Sequence, residues 1–358
     1  MNNATGDSAA DSASRKRGLF RRIIATFLKI AGALAALVII AGFMYEFIGR
    51  HQDERHFPQE GQSIDVGGYR LNLRCTGAGS PAVVLESGLG VTAIGWKAVQ
   101  SQIESFTRVC SYDRAGVGWS DPGPLPRNSL QMVKELHTLL HNTGVPPPYL
   151  LVGHSLGGFN VRVYNGRFPD EVAGVVLVDA SSEDAEANAP PSMKKVQDAQ
   201  KVQWRQWLTY APILFRFGIG RQYLKRAWGE KTLPPGFQSE FAFLQFQSKE
   251  LETMADELDE FGEDGKESRQ SGNFGDKPLI VLTAGRGSSA AEIPAGASKK
   301  EVDDYRQMWI TDFQVRLAHL STRGKQIVVP DSGHMIPMEK PQIVVSAVQE
   351  ICAAVNAK

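Results

Sequence analysis

Leu150-Leu151-Val152-Gly153-His154-Ser155-Leu156-Gly157-Gly158 is the stretch on which the reading of this chain turns. It opens as an unbroken apolar run, the pattern of a strand covered on both faces, and passes through G-x-S-x-G into a helical pattern at 158–168. A strand that turns abruptly into a helix forces the residue at the turn into strained backbone geometry. Only neighbours without side chains let such a turn close. The strained residue is Ser155, whose hydroxyl is lifted to the end of the sheet, at a helix N-terminus that favours developing negative charge. Ser155 is therefore the expected nucleophile. His154, whose side chain should point away from that of Ser155, is expected to be structural.

The same alternation continues on either side. Short apolar runs at 63–66, 69–73, 82–85, 107–112, 149–152, 175–178, 279–283 and 326–329 alternate with helical patterns such as 129–141. Such alternation builds an α/β fold, a mainly parallel sheet of eight strands with helices on both faces. Only Gly67-Gly68 separate the first two runs, which predicts an antiparallel hairpin at the sheet edge. The rhythm breaks between Val178 and Leu279, where the periodicity is helical and aromatic residues crowd: Trp204, Trp207, Tyr210, Phe215, Phe217, Tyr223, Trp228, Phe237, Phe241, Phe243 and Phe246. Residues 181–275 thus read as a helical cap or lid between a first part of the core, 56–180, and a second, 276–358. The acidic half of the cap, Glu250 to Glu267, is expected to face solvent.

A serine hydroxyl is a weak nucleophile and needs a general base within hydrogen-bond reach. His334 lies in the loop 331–337 after the last strand, on the rim that the serine faces. His51 and His56 fall in a polar linker, and His137, His141 and His319 on helical patterns, so His334 is the expected base.

The 358 residues are 42% hydrophobic and 22% charged, enough for a sizeable core. Lys plus Arg equals Asp plus Glu at 39 each, which lacks the basic footprint of a nucleic-acid binder. The charge is uneven locally. Residues 1–14 are small and polar and read as unstructured, and Arg15, Lys16, Arg17, Arg21 and Arg22 complete a basic tail over 1–22. An apolar run follows at 23–47, with Lys29 near one end, long enough at 1.5 Å per residue to cross roughly 30 Å of hydrocarbon. Its bulky end, Phe43-Met44-Tyr45-Glu46-Phe47, is a poor cleavage site, so it reads as an uncleaved anchor. Cations before the span keep the N-terminus cytoplasmic and place everything after residue 50 outside the cytoplasm. The three cysteines, Cys75, Cys110 and Cys352, form no C-x-x-C pair, which argues against zinc or thioredoxin-type chemistry.

Residues 62–358 resemble the α/β-hydrolase fold in its cap-bearing branch of esterases and lipases. The resemblance rests on Leu85-Glu86-Ser87-Gly88-Leu89-Gly90, on Asp113 to Ser120, on the Ser155 turn, on Leu177-Val178-Asp179-Ala180 and on Gly333-His334. It implies that the backbone N–H groups of Leu89 and Leu156 form the oxyanion hole, with Ser87 where the family has histidine. It leaves Asp113 to Ser120 as a structural loop without chemistry. Most members place the third triad residue after the seventh strand, where this chain has no acid before Glu292. The family's second location, after the sixth strand, is filled by Asp179, which ends a buried run and would pair with His334. Asp179 is the expected acid and Glu292 the alternative. The strand order of the fold also sets Cys75 beside Cys110, which leaves a disulfide open.

An attacking serine forms an acyl-enzyme, which sets aside relatives with an aspartate at this turn, the haloalkane dehalogenases and epoxide hydrolases. The chain then reads as a membrane-anchored hydrolase of carboxylic esters with the triad Ser155, His334 and Asp179. The aromatic cap would form an apolar acyl pocket for a small ester or lipid-like substrate. No metal or organic cofactor and no nucleic-acid partner is expected. Rival readings are an acyltransferase, an aminopeptidase-like amidase, and a non-catalytic membrane receptor or scaffold on the same fold.

Overall fold

The computed structural model describes residues 6–222, 238–245, 247–288, 293 and 296–357. Its core is one sheet of eight strands: β1 (Gln62–Asp65), β2 (Arg70–Thr76), β3 (Ala82–Glu86), β4 (Val109–Tyr112), β5 (Tyr149–His154), β6 (Val172–Val178), β7 (Leu279–Ala284) and β8 (Gly324–Val329). Their spatial order is β1-β2-β4-β3-β5-β6-β7-β8. β1 and β2 form the expected antiparallel edge hairpin, and β2 is antiparallel to β4. All other pairs are parallel.

The sheet is covered on both sides because its strands carry two apolar faces. Along β6, Val175 and Leu177 enter one buried cluster while Val176 and Val178 enter the other. The first cluster is closed by α3 (Ser129–Asn142) and α4 (Gly157–Arg167), the second by α2 (Lys97–Ile103) and a C-terminal helix (Pro341–Asn356). Each fully buried Val, Leu or Ile stabilises this arrangement by roughly 1.5–3 kcal/mol.

Between β6 and β7 the described residues form four helices: α5 (Glu183–Ala187), α6 (Pro191–Arg216), α7 (Gln238–Gln245) and α8 (Ser248–Gln270). The expectation that Glu250 to Glu267 faces solvent fails. Glu250, Glu257 and Asp264 recur every seven residues, so they fall on one stripe of α8, and all three are fully buried. Glu250 accepts the N–H of Gly118 at 2.6 Å, and Glu257 takes both sides of the Arg114 guanidinium at 2.8 and 2.9 Å. Asp264 accepts the N–H of Ser129 at 2.6 Å, and Glu267 that of Leu130 at 2.8 Å. These two donors are orphan amides at the start of α3. Carboxyl groups thus clamp the cap to the core, while Glu252, Asp259 and Glu263 face outward.

The aromatic residues of the cap divide. Phe215 and Phe241 are buried, whereas Trp204, Trp207 and Tyr210 are exposed. Tyr223, Trp228, Phe237 and Phe246 lie outside the described residues.

α1 runs Gly6–His56, so most of the tail expected to be unstructured is helical, and so is the expected linker up to His56. Its stretch from Phe20 is long and apolar enough to cross a membrane by length and composition, and its most apolar window is not buried by any of the described residues. Near its C-terminal end it packs on the cap. A side chain at Gly42 would meet the Phe217 carbonyl at 2.6 Å, and Arg221 pairs with Glu46 and Asp53. Cys75 and Cys110 are register partners across β2 and β4 and are joined as a disulfide, with Cα atoms 4.1 Å apart. Cys352 is buried and unpaired.

Past β7 come α9 (Lys299–Met308), a π-helical turn (Trp309–Phe313), α10 (Gln314–Ala318), α11 (Ile336–Glu339) and the C-terminal helix, α12.

Candidate active site

Two non-glycine residues among those described adopt positive φ: Ser155 at 52° and Asp179 at 41°. They end neighbouring strands, β5 and β6, at the same edge of the sheet. Strain of this kind costs on the order of 1–3 kcal/mol and persists only where the surroundings over-determine it. Ser155 is held by its own backbone, donating to Val178 O at 3.2 Å and accepting from the amides of Gly158 and Ser181 at 2.9 and 3.0 Å.

The glycines around it are required by close approach. A Cβ on Gly153 would sit 2.5 Å from the Gly157 carbonyl oxygen, and one on Gly157 2.5 Å from the Glu86 oxygen. One on Gly158 would overlap Ala180 Cβ. On the far side, a Cβ on Gly88 would come 3.1 Å from Ser155 Cβ, which puts the loop after β3 directly over the serine. Among the described residues, neither the Leu89 nor the Leu156 amide donates to any acceptor. The two leucines share one apolar cluster with Met132, Phe159 and Phe261, the last of these from the cap.

That loop is held from behind by a residue to which the sequence assigned no chemistry. Arg114 is buried and donates to the carbonyls of Ser87 and Gly88 at 2.7 and 2.8 Å, as well as to Glu86 and Glu257. Ser87, where the family has histidine, accepts the indole N–H of Trp96 at 3.0 Å.

Asp179 Oδ2 lies 2.7 Å from His334 Nδ1. Its other oxygen accepts the amide of Ala284 at 3.0 Å and the indole N–H of Trp309 at 2.9 Å. Burial pushes this carboxyl up, but the hydrogen bond and charge of His334, together with the Trp309 and Ala284 donors, outweigh it and hold the group below its ordinary range. The side chain of Asp179 is 6% exposed and that of His334 51%. One face of the imidazole therefore meets solvent while its Nδ1 is fixed. The alternative acid, Glu292, lies outside the described residues.

His154 has a part the sequence did not reveal. It is buried, and its Nε2 lies 2.9 Å from the backbone carbonyl of His334. A carbonyl only accepts, so Nε2 carries the proton and donates. Burial, then the neighbouring His334, pushes His154 down, which keeps it neutral. A cavity of about 390 Å³ opens between cap and core, lined by Phe159, Ser181, Leu258, Phe261, Tyr305 and Trp309 among others. Trp309 is the lining residue that touches Asp179, and Ser155, Asp179 and His334 are not themselves in its wall.

A doubly covered parallel sheet whose central strand ends in a strained serine defines the class. Residues 81–341 match the α/β hydrolase fold, and the chain belongs to that family. Among curated relatives it is similar to "Probable transporter efuK" of Hormonema carpetanum, 25% identical, over 82% of this chain and 43% of that protein. It is also 25% identical to "Uncharacterized protein YqjL" of Bacillus subtilis, over 78% of this chain and 86% of the other. The chain spans half or less of efuK and of a second Bacillus subtilis relative, YbdG, at 43% and 50% of their lengths. Among solved structures, a thermophilic esterase from Thermogutta terrifontis shares the fold with a TM-score of 0.57 and 22% identity, covering 82% of this chain and 97% of that one.

Proposed function

We propose that this protein hydrolyses carboxylic esters, with Ser155 as nucleophile, His334 as general base and Asp179 as the residue that orients the imidazole. The observation that carries the reading is the His334–Asp179 pair at 2.7 Å on the sheet edge where Ser155 is strained. Ser155 Oγ attacks the carbonyl carbon and its proton passes to His334 Nε2. The Leu89 and Leu156 amides stabilise the oxyanion, and His334 returns the proton to the departing alcohol. Water, activated by the same imidazole, then cleaves the acyl-serine. The 51% exposure of the His334 side chain favours water as that second acceptor over an alcohol held in a closed site. The cavity that Trp309 borders, partly apolar and within the volume range of ligand pockets, is the candidate space for the acyl group, reached past Trp309 and Ser181.

On this reading α1 anchors the enzyme with its N-terminus in the cytoplasm and the hydrolase outside. The basic tail before the span and the Cys75–Cys110 disulfide, a bond of oxidising compartments, support it. The test is hydrolysis of p-nitrophenyl esters of increasing acyl length by the full chain in detergent micelles. Turnover of esters is expected, with Asp179→Asn lowering kcat by about three to four orders of magnitude and Glu292→Gln leaving it near wild type. Inertness toward every ester, with hydrolysis of amides alone, contradicts the proposal.

A further inference from the structure

The second half of α6 is apolar on two sides. One side, Leu208, Ala211 and Phe215, is buried against Leu251 and Ala255 of α8. The other presents Val202, Trp207, Tyr210, Ile213 and Leu214, with exposures from 43% at Trp207 to 63% at Tyr210. Trp204, 51% exposed, stands at its border one turn before Leu208. A helix apolar on both sides is covered on both, and a contiguous patch of large side chains marks a contact surface rather than a water-facing one.

The position of α1 says what covers it. Phe217, just past the end of α6, rests on Gly42, and Gly218 on Tyr45, both inside the apolar stretch of 23–47. The C-terminal end of α6 therefore sits at the level where α1 would leave the hydrocarbon, with exposed Phe43 and Ile219 flanking the junction. The composition of α6 suits that depth. Trp and Tyr rings favour the headgroup zone, and α6 carries five cations against the single acid Asp198. Arg205 and Arg216 pair with Asp259 and Glu252 of α8, which leaves Lys194, Lys195 and Lys201 toward its N-terminal half.

We propose that the outward face of α6 lies in the interfacial zone of the bilayer that α1 crosses, seating the cap on a phospholipid surface that carries anionic headgroups. The proposal rests on the reading of α1 as a membrane-spanning helix.

The experiment reconstitutes the full chain in vesicles of phosphatidylcholine and phosphatidylglycerol, with or without bromine on the acyl chains, and reads tryptophan emission. Trp204 and Trp207 are two of six tryptophans, so bromolipid is expected to remove about a third of the wild-type emission through them. The double variant Trp204→Phe with Trp207→Phe, which keeps apolar bulk at two exposed positions, should lose that component while its circular dichroism stays unchanged. Equal quenching of wild type and variant overturns the proposal. So does a Trp204/Trp207 emission that is blue-shifted yet unquenched, which gives the face to a protein partner. Flotation separates the two readings. A chain that floats with the vesicles but keeps these tryptophans unquenched retains its anchor and loses the seated cap. A chain that does not float loses both.

Discussion

Trp309 donates its indole N–H to Asp179 Oδ1 at 2.9 Å, from a π-helical turn 130 positions further along the chain. The carboxylate thereby has one oxygen fixed by Trp309 and Ala284 and the other left for His334. An acid so held cannot rotate away when the imidazole becomes cationic, and π-helical turns are often found at sites where a side chain must be aimed.

Trp309→Phe keeps an aromatic ring, though a smaller one, and removes the N–H donor. A hydrogen bond to a charged acceptor contributes about 1.5–3 kcal/mol, so kcat on an ester substrate should fall by about 10- to 100-fold with KM little changed. Titration of active sites with a fluorophosphonate should still count every molecule as competent. A fall in the competent fraction, with kcat per competent site unchanged, would mean that Trp309 acts through folding alone.

Arg114 ties the loop over Ser155 to the cap, and its removal strands Glu86 and Glu257 in the interior. Arg114→Met should lower stability by about 3–5 kcal/mol, the usual cost of an uncompensated buried charge. Adding Glu257→Gln should recover part of that loss, because one of the stranded charges is gone. Urea denaturation of the four combinations gives the coupling, and strict additivity would show that the two residues do not act as a unit.

Burial pushes the carboxyl of Asp264 up to about 8, only partly offset by the amide of Ser129. The folded state then holds this proton more tightly than the unfolded chain, whose carboxyl has an ordinary value near 3.8. Its contribution is complete below about pH 4 and is lost as pH rises toward about 8, at up to on the order of 1 kcal/mol per unit. Glu250, raised by burial in the same way, adds to the trend. Asp179 and Glu183 are held low, so their losses fall below this window. His154, held down to about 3 by burial, acts in the opposite sense below its ordinary value of 6.5. Denaturation midpoints should therefore drop from about pH 6.5 to about pH 8, and Asp264→Asn, which mimics the neutral acid, should flatten the curve. A midpoint that rises over this range would contradict the assignment.

What was legible in the sequence is what depends on neighbours in the chain. Val175 to Val178 announced a strand covered on both faces, and Gly153, Ser155 and Gly157 announced the turn, because close approach there leaves no room for a Cβ. Asp179 was readable from its place at the tip of a buried run. The cradle around it was not. Trp309 acts on a partner 130 positions away, and nothing local marks it. Arg114 lies in the stretch Asp113 to Ser120 that carries the resemblance, but its partner Glu257 is 143 positions away and its role could not be read there. The acidic stretch of α8 misled by composition, since many carboxylates suggest water. Yet Glu250, Glu257 and Asp264 stand seven apart, a stripe that a periodicity count of charges would have found. His154 was read as structural and is so in a specific sense, holding the His334 carbonyl.

The central claim is that Ser155 is an activated nucleophile at the end of β5. The measurement that tests it most directly is labelling of the full chain with a fluorophosphonate, followed by peptide mass mapping and an ester assay on the same sample. One phosphonyl group should appear on the peptide carrying Ser155, with ester hydrolysis lost in proportion, and Ser155→Ala should take no label and show no turnover while melting like the wild type. A label on any other residue, or ester hydrolysis that survives in Ser155→Ala, would contradict the account.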